Sequence, residues 1–441
     1  MEKVFMSDEQ QDVEQLFIGL MSGTSIDGLD GVLMSIKADE QGCLKFKTLA
    51  TTSCDWTTEE KLLLNGLCQP HSAHDSVYSL GLGANVVATK EALAVKQLLA
   101  QSHYQAQDIC AIGAHGQTIC HQPQDAFSLQ IDNGPLLANS TDIDAIVNFR
   151  AADIANGGQG APLAQAFHQM VFASANKTRV VLNLGGIANI TVLGAQGALI
   201  SAFDTGPANT LIDYICRTYL NISFDKDGNL ARQGQVNHQA LTKLLSHPYF
   251  TQPYPKSTGR ELFNSNFISD YLSQYDLTNL TKANLCDILA TLTELTAKTV
   301  IDAIAKVYQD HESTLCKDIE IVACGGGAFN SYLLERMALL AHEAKLNLTI
   351  AHCSDFGIDA KFLEAQAFAY FAYCTVHAHC LPLHNSTHAS RPSILGCICP
   401  APSGFYARSR SRSSTSARSS TSTSACSGTS ACACACTSAR T

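Results

Sequence analysis

The N-terminal region holds the first group of residues whose types and spacing suit a chemical role. Residues 17–33 read FIGLMSGTSIDGLDGVL, so apolar runs flank a loop of small residues at 22–25 and the pair Asp27-Gly28. Glycine tolerates positive φ and Asp-Gly is common in tight turns, so the segment predicts strand, turn, strand. The N–H groups and hydroxyls of the loop suit phosphate oxygens, and the carboxylates of Asp27 and Asp30 suit a divalent cation. An ordinary hairpin turn is the alternative, because Walker A and GxGxxG patterns are absent here.

Two further polar segments contain glycine. His115 lies in HGQT just after the apolar run 108–112, and a strand that ends in a polar tip is a common way to present binding groups. His115 is therefore either a ligand contact or a turn histidine bonded to backbone. Arg150 precedes GGQGAP at 157–162, whose glycines let the backbone approach a ligand closely. For Arg150 the alternative is an ordinary solvated surface arginine.

Asp204 begins a fourth segment of interest, DTGPAN. It follows an apolar stretch and precedes a helical pattern over 210–219, so an acidic residue ends a strand and a turn of small residues opens a helix. The N-terminus of such a helix attracts anions. Asp204 is accordingly a candidate general base or a carboxylate that would face a bound metal ion, and an N-cap aspartate is the alternative.

The last two candidates lie in the C-terminal half. A buried-strand run at 319–323 leads into GGGAFN at 325–330 and a helix over 331–340, an arrangement of the kind that cradles a nucleotide. Glu364 stands near the start of an amphipathic helix predicted over 361–373.

The elements that must position these groups alternate between strands and helices, which predicts an α/β protein. The further strands are expected at 44–51, 180–184 and 187–193. The further helices are expected at 58–67, 86–99 and 286–308, the last with no chemical role.

Composition excludes several classes of protein. The 441 residues suffice for two or more domains, and 46% hydrophobic with 15% charged residues is typical of a soluble globular protein. A net charge of −10 argues against nucleic-acid binding, because a phosphate backbone demands a basic face. No apolar run is long enough to span a membrane, and the polar N-terminus does not resemble a secretory signal. We expect a cytoplasmic enzyme without a membrane partner.

Cysteine usage agrees with a cytoplasmic location, and the C-terminal end of the chain differs in composition from the rest. Twelve of the 18 cysteines are scattered over 43–380 without zinc-like spacing, which is typical of reduced, buried thiols. Residues 401–441 lack Leu, Ile, Val and all acidic residues, so we expect a disordered tail with no core. Its five arginines raise RNA binding as an alternative, but its repeats favour a functionless extension.

Three glycine-bearing turns, GTSIDG, DTGP and GGGAFN, each lie at the end of a predicted strand, and together they are more specific than any one of them. Their order resembles the superfamily of actin, hexokinase and the heat-shock ATPases, in which two duplicated α/β domains clamp ATP. The longer strings go further: FIGLMSGTSIDGLD, GAHGQTICH, FRAADIANGGQGAPL, LNLGGIANIT, FDTGPANTLID and CGGGAFN closely resemble the 1,6-anhydro-N-acetylmuramic acid kinases of peptidoglycan recycling. The resemblance covers about residues 17–396. It implies an actin-like ATPase (ribonuclease H-like) fold with a nucleotide cleft between two domains.

The resemblance also implies roles for individual residues. Asp204 would be the catalytic base, Glu364 and Arg150 would serve the sugar side, and His115 is placed with them as a substrate contact. Mg²⁺ is expected together with ATP. The implied ATP contacts are Gly23, Thr24, Ser25, Ile26, Asp27, Gly28, Leu29, Asp30, Gly325, Gly326 and Gly327.

Three departures from the family pattern stand out. The family's DFRRRD is NFRAAD here, so Arg150 is followed by two alanines, which weakens the case for sugar contacts around it. Ala208 stands where glycine is usual in DTGPGN, a change of one methyl group. His388 replaces the glycine of the usual TGAS, which puts the local fold there in question.

These residues suit one reaction in particular. Opening an internal 1,6-acetal requires water to attack C1 while O6 leaves and takes the γ-phosphoryl group, and Asp204 can deprotonate that water. The alternatives are a kinase for another sugar and an actin-type ATPase without a small substrate; the polar loops HGQT and GGQGAP favour a sugar pocket. We expect domains at 16–145 with 355–400, at 146–354, and a tail at 401–441. A homodimer is compatible with the sequence.

Overall fold

The structure is a computed structural model. It describes residues 14–23, 26–39, 44–69, 72–73, 76–195, 197–259 and 262–405.

The described residues form strands and helices in alternation. In chain order, the strands are β1 (Gln15–Ser22), β2 (Gly28–Ala38), β3 (Leu44–Asp55), β4 (Ile109–Ala114), β5 (Gln117–Gln122), β6 (Phe127–Ile131), β7 (Ala145–Val147), β8 (Thr178–Leu184), β9 (Ile187–Leu193), β10 (Leu199–Pro207), β11 (Ile319–Cys324), β12 (Leu348–His352) and β13 (Cys397–Cys399). The α-helices are α1 (Thr58–Leu67), α2 (Val77–Ser102), α3 (Gly134–Thr141), α4 (Ala151–Ala155), α5 (Ala164–Phe172), α6 (Asn209–Ile215), α7 (His238–Leu245), α8 (Pro248–Thr251), α9 (Ser269–Leu272), α10 (Lys282–Asp310), α11 (Ser331–Glu343), α12 (Leu363–Val376) and α13 (His384–Thr387).

Two sheets share one topology. The first has the order β3-β2-β1-β4-β7 with β13 added at the end, and the second has the order β10-β9-β8-β11-β12. In each sheet the first three strands form an antiparallel meander and the next two run parallel to the first strand. The chain therefore contains the same α/β unit twice, which confirms the predicted α/β fold with duplicated, ribonuclease H-like halves.

Helix α12 lies directly on the first sheet because two glycines make room for it. Gly19 of β1 and Gly113 of β4 are register partners on adjacent parallel strands. A β-carbon built on Gly19 would overlap the carbonyl oxygen of Ala365, and one built on Gly113 would overlap that of Phe368. The helix backbone thus reaches the sheet backbone, and the aromatic side chains of α12 pack outward into the largest apolar cluster.

Helix α10 covers the second sheet and begins after the N-cap residue Thr281. The Thr281 side chain accepts a hydrogen bond from the Asn284 N–H, and the Asn284 side-chain oxygen accepts one from the Thr281 N–H, so the N-terminus of the helix is capped. Its apolar face, with Val300, Ile301 and Ile304, packs on the strands of the second sheet. The prediction of a helix over 286–308 was short by a turn at its N-terminus.

Several other predictions need adjustment. The predicted helix over 210–219 is an α-helix only to Ile215, after which Cys216–Leu220 forms a π-helical turn. The predicted boundary between the domains, at 145/146, falls inside β7. The division into two domains remains a prediction in its details.

The predicted tail begins too early. Ala401 is 4% exposed and belongs to a core cluster of the first half, and its N–H donates to Asp144 Oδ1 over 2.8 Å. Phe405 packs against the cluster around α12. Residues 401–405 therefore belong to the folded body, and the remainder of the predicted tail, 406–441, lies outside the described residues. In the described part of the chain, no helix combines the length and apolar character needed to cross a membrane.

The glycine contact under α12 is testable with a matched pair of variants. We expect Gly19→Ala to lower the free energy of unfolding by about 3 kcal/mol, because the added methyl group overlaps helix backbone that cannot move away. Gly81→Ala, at an exposed position in the second turn of α2 with no atom within 4 Å of the new carbon, is the control and should gain about 0.5–1 kcal/mol. Urea denaturation measures both, and equal stability of the two variants would contradict the contact.

Candidate active site

A cavity of about 550 Å³ lies where the β1–β2 hairpin faces the second sheet. The hairpin contributes Asp27, whereas the second half contributes the β8–β9 turn, one face of α6 and the loop after β11. The lining residues are Asp27, Gly185, Gly186, Asn209, Thr210, Asp213, Tyr214, Arg217, Phe263, Asn264, Ser265 and Gly326. The volume suits a drug-sized ligand, and the glycines leave backbone accessible.

The three glycines after β11 divide between packing and the cavity. Gly325 has φ +77°, and β-carbons on Gly325 and Gly327 would press on the end of β8, at Asn183 and Leu184 respectively. A β-carbon on Gly326 would meet no atom within 4 Å, and Gly326 lines the cavity. Two glycines therefore hold the loop against β8, and the middle one presents open backbone to a ligand.

The N-terminus of α6 is occupied by the protein itself. The N–H groups of Asn209 and Thr210 donate to the carbonyls of Gly185 and Gly186, over 3.0 and 3.1 Å. The Asn209 side chain donates to the carbonyls of Leu184 and Gly185 as well. The expectation that this helix N-terminus holds an anion is therefore wrong for its first N–H groups, which instead fix the β8–β9 turn in place.

Asp204 lies within β10, and the strand continues to Pro207. The pairing with β9 shifts between Asp204 and Gly206, so a bulge follows Asp204. Helix α6 begins only at Asn209, which excludes the N-cap alternative for Asp204. The half-buried carboxylate accepts a hydrogen bond from the Thr258 N–H over 2.9 Å, and the Asp204 carbonyl accepts one from the Tyr249 hydroxyl over 2.7 Å.

The surroundings of Asp204 connect it to the cavity. The Tyr249 ring packs edge-to-face on Phe263, a cavity residue, with 5.5 Å between ring centroids. Burial raises the pKa of the Tyr249 hydroxyl, and the nearby Asp204 charge raises it further, so the phenol stays protonated and keeps donating. Asp204 is thus oriented by two donors at the edge of the cavity.

The two aspartates of the first segment have different places. Asp27 is exposed and lines the cavity. Asp30, on β2, accepts a hydrogen bond from the Ser53 hydroxyl over 2.5 Å and lies 3.8 Å from Lys361 Nζ, and it is absent from the cavity lining. Asp30 therefore faces the start of α12. Thr24 and Ser25 lie outside the described residues.

The rest of the first segment supports the turn. Ile26 is buried with φ +53°, a left-handed conformation that is rare for a β-branched residue. The Ser22 hydroxyl reaches the Gln117 side chain over 2.6 Å, and Gln117 donates to the Gly23 carbonyl over 3.2 Å. The hairpin turn is thereby joined to HGQT. Gly28 and Leu29 begin β2, where Leu29 is in the core.

Arg150 and His115 form one buried unit. Arg150 Nη2 lies 2.8 Å from His115 Nε2, and Nη1 donates to the Gly160 carbonyl over 2.8 Å. Because Arg150 can only donate, His115 Nε2 is the acceptor, and Nδ1–H donates to the Gly116 carbonyl. Burial, with a smaller effect of the Arg150 charge, lowers the pKa of His115 to about 3, so the ring stays neutral. His115 is therefore a turn histidine that holds Arg150, and Arg150 is not a solvated surface residue.

Glu364 completes this second group. The Glu364 residue, at the start of α12, is exposed to solvent on its cleft side. The surrounding protein nevertheless removes part of the water from its carboxyl group and thereby raises the pKa of that group. The Arg150 charge opposes that shift and the Asp30 charge adds to it, so all three groups lie within electrostatic range. The structure thus brings together His115, Arg150, Glu364 and Asp30 on the first half, apart from the cavity residues.

A metal ion would have few protein ligands here. Over the described ranges, no three His, Cys, Asp or Glu side chains converge as a metal site would require. Mg²⁺ commonly uses only one or two carboxylates together with water and phosphate oxygens. Asp27 is the predicted carboxylate that lines the cavity, so the donor set fits that mode of binding and no all-protein cage.

Sequence reasoning missed part of the cavity. It assigned no role to Asp213, Arg217 and Asn264, which line it. Gly185 and Gly186 were read only as a turn between two strands, although a glycine pair at that point was a signal of close backbone approach. Asn264 has no pattern around it in the sequence that points to a site.

Two of the departures from the family pattern have visible consequences. His388 has φ +63°, the left-handed conformation in which glycine is favoured, so the imidazole residue is accommodated at the end of α13 under local strain. Ala208 is 1% exposed and packs in the core of the second half.

Known proteins were compared with this chain. The family described as "Anhydro-N-acetylmuramic acid kinase" matches residues 15–401. A protein of that name from Shewanella sp. (strain ANA-3) is 43% identical over 387 residues, which is 86% of this chain and 97% of the relative. One from Shewanella amazonensis is 42% identical over 394 residues, covering 88% and 99%.

Among solved structures, component A of (R)-2-hydroxyglutaryl-CoA dehydratase from Acidaminococcus fermentans covers 82% of this chain and 99% of its own, with a TM-score of 0.40 and 10% identity. The extent of the family match and the identity to its members show that this chain belongs to the anhydro-N-acetylmuramic acid kinase family.

Proposed function

We propose that this chain is an ATP-dependent kinase that opens the 1,6-anhydro ring of anhydro-N-acetylmuramic acid and phosphorylates O6. The products would be N-acetylmuramic acid 6-phosphate and ADP, as in peptidoglycan recycling. The observation that carries the proposal is that the β1–β2 hairpin joins two groups: it contributes Asp27 to the glycine-lined cavity of about 550 Å³, and it is hydrogen-bonded through Gln117 to the tip whose His115 holds Arg150. Family membership supplies the substrate.

The cavity would hold the nucleotide. Gly326 and the Gly185–Gly186 turn offer backbone without side chains, and Asp27 offers a carboxylate for Mg²⁺, directly or through water. Mg²⁺, when bound, would balance charge on the phosphoryl group in transfer. Arg217, which pairs with Asp213 over 3.7 Å, adds the one guanidinium among the cavity's lining residues.

The sugar would lie between Asp204 and the Arg150 unit. Arg150 is held by the Gly160 carbonyl and His115 Nε2, so its guanidinium is fixed in orientation, and its charge acts on Glu364. A guanidinium and a carboxyl suit the acceptors and donors of an amino sugar. The raised pKa of Glu364 lets this group exchange between donor and acceptor roles.

Asp204 would act as the general base. Its carboxylate takes a proton from water as the water oxygen bonds to C1; the C1–O6 bond breaks, and O6 bonds to the γ-phosphorus as the bridge to ADP breaks. The Thr258 N–H donates to Asp204 Oδ2 and so fixes the orientation of the carboxylate. No covalent intermediate with the chain is needed.

A methyl group at Gly326 tests the nucleotide site. Gly326→Ala should raise KM for ATP about tenfold, because the methyl group would enter the cavity. Its melting temperature should stay unchanged, since the new carbon meets no atom within 4 Å. Gly327→Ala is the comparison: it presses on Leu184 and should lower the melting temperature. An unchanged KM in Gly326→Ala would place the nucleotide elsewhere.

Replacing Asp204 tests the base. Asp204→Asn should keep ATP affinity within a few-fold and reduce turnover by roughly 10²–10⁴, the range for loss of a general base. The asparagine oxygen can still accept from Thr258, so the melting temperature should hold. Calorimetric titration with ATP and a coupled ADP assay give the two numbers. Loss of ATP binding would instead make Asp204 a metal or structural residue.

Oxygen-18 water tests the reaction as a whole. Because water attacks C1 and O6 accepts phosphate, the product should carry the label at the C1 hydroxyl and none in the C6 phosphate ester. Mass spectrometry must follow promptly, before exchange through the open-chain form. Label in free phosphate alone would indicate an ATPase, and an unlabelled sugar phosphate would indicate an ordinary sugar kinase; either result refutes the proposal.

A further inference from the structure

Two acidic side chains meet in the interior beneath HGQT and take no part in the proposed chemistry. Glu91, in the middle of α2, is 1% exposed, and Asp132 follows β6 with both carboxyl oxygens buried. Their carboxyls lie within hydrogen-bond reach of each other. Apart from the backbone N–H of Asn133 beside Asp132, no donor among the described residues serves Asp132 or Glu91 Oε2.

Two buried carboxylates in contact cannot both be ionised at low cost. Each lacks water, and like charges at this distance repel. One proton between them removes one charge and turns one carboxyl into the donor that the other lacks. Burial, followed by the Asp132 charge, raises the pKa of Glu91, and burial raises that of Asp132.

The pair supports the polar tip that carries His115. Glu91 accepts a hydrogen bond from the Gly116 N–H. Gly116 has φ +71°, and a β-carbon there would overlap the Ile131 carbonyl and come within 3.2 Å of the Asp132 side chain. Gly116 in turn accepts from His115 Nδ1–H, and His115 Nε2 accepts from Arg150. A continuous series of hydrogen bonds therefore runs from Glu91 to the guanidinium.

We propose that Glu91 and Asp132 are positioning residues, which share one proton and thereby hold the tip that orients Arg150 toward the sugar. The inference rests on the proposed function for its effect on the sugar. When the shared proton leaves, repulsion separates the carboxyls, Gly116 loses its fixed acceptor, and Arg150 loses its fixed direction. Sugar affinity should therefore fall with rising pH above the ordinary carboxyl range.

Few other titratable groups face the pair. Cys399 on β13 does, since burial and then the Asp132 charge raise its pKa. His115 and His121 belong to the tip and to β5; burial followed by the Arg150 charge lowers the pKa of both imidazoles, that of His115 to about 3, so His115 stays neutral where the pair would titrate. Helix α3 and strand β6 contribute no charged side chain.

The test compares the full-length enzyme with variants that imitate the protonated pair. Asp132→Asn and Glu91→Gln each supply a permanent N–H donor to the remaining carboxylate. In the wild-type enzyme, KM for the anhydro sugar should rise about tenfold as the pH passes through the range in which the pair loses its proton, while kcat changes little. A rise of about tenfold is the effect of losing one charge-assisted contact. In both variants this rise of KM with pH should be absent. Asp125→Asn, an exposed aspartate between β5 and β6, is the control and should follow the wild type.

A second measurement does not depend on activity. Because the folded-state pKa values are raised, the folded chain binds more protons than the unfolded chain just above the ordinary carboxyl range, so stability falls there as pH rises. The melting temperature of wild type should therefore decline with pH relative to that of Asp132→Asn. Identical pH profiles of KM and of melting temperature in the two proteins would overturn the proposal. If wild type lacks kinase activity, only the proposed function fails, and the melting curves still decide on the pair.

Discussion

The contact between the backbone of α12 and the two glycines of the first sheet fixes the geometry of the proposed sugar side, formed by Arg150, His115 and Glu364. Gly19 and Gly113 are register partners, and the helix rests on both. Glu364 is one residue before the helix carbonyl that covers Gly19, so its position is set by backbone packing. The same two strands end in the β1–β2 hairpin and in the tip with His115. One close approach thus places the hairpin, the tip and the carboxyl relative to each other.

Because the topology is duplicated, tight turns from both halves face the cleft. In each half, an antiparallel meander joined by tight turns is followed by parallel strands. In the first half the meander gives Asp27 at its first turn; in the second half it gives the Gly185–Gly186 turn and Asp204. Facing turns of this kind leave backbone and carboxylates at the cleft and apolar side chains behind it. The cavity is therefore lined by residues of both halves, and the proposed site would need groups from each.

Much of this arrangement could be predicted from local pattern. Alternation of apolar runs with glycine turns gave the hairpin, the loop at 325–327 and the class of fold, because these depend on backbone conformation near each residue. Partners far apart in the chain could not be predicted. The bond from Arg150 to His115 spans 35 residues, and the ion pair from Lys361 to Asp30 joins the second β-strand to the segment that precedes α12. The predicted start of the tail was wrong for a different reason. The composition of 401–441 as a whole indicates no core, although Ala401 and Phe405 pack against the folded body.

The sugar side has an electrostatic balance that makes orientation important. Arg150 and Lys361 face Glu364 and Asp30, and His115 stays neutral. Where two further arginines would stand in the family pattern, this chain has Ala151 and Ala152, so no adjacent arginine can replace the Arg150 guanidinium. Its direction depends on the Gly160 carbonyl, and the Gly160 N–H donates to Asp153 Oδ2 over 2.8 Å.

Asp153 in turn accepts from Thr387 over 2.7 Å, next to the strained His388. Strain of this kind persists only where surrounding contacts outweigh it, and here those contacts hold the loop that holds Arg150. The left-handed histidine near the C-terminus is thus tolerated because the segment around it closes the support of the sugar-side cation. Arg150 is thus supported from two directions, through Gly160 and Asp153 from Thr387, and through His115 and Gly116 from Glu91.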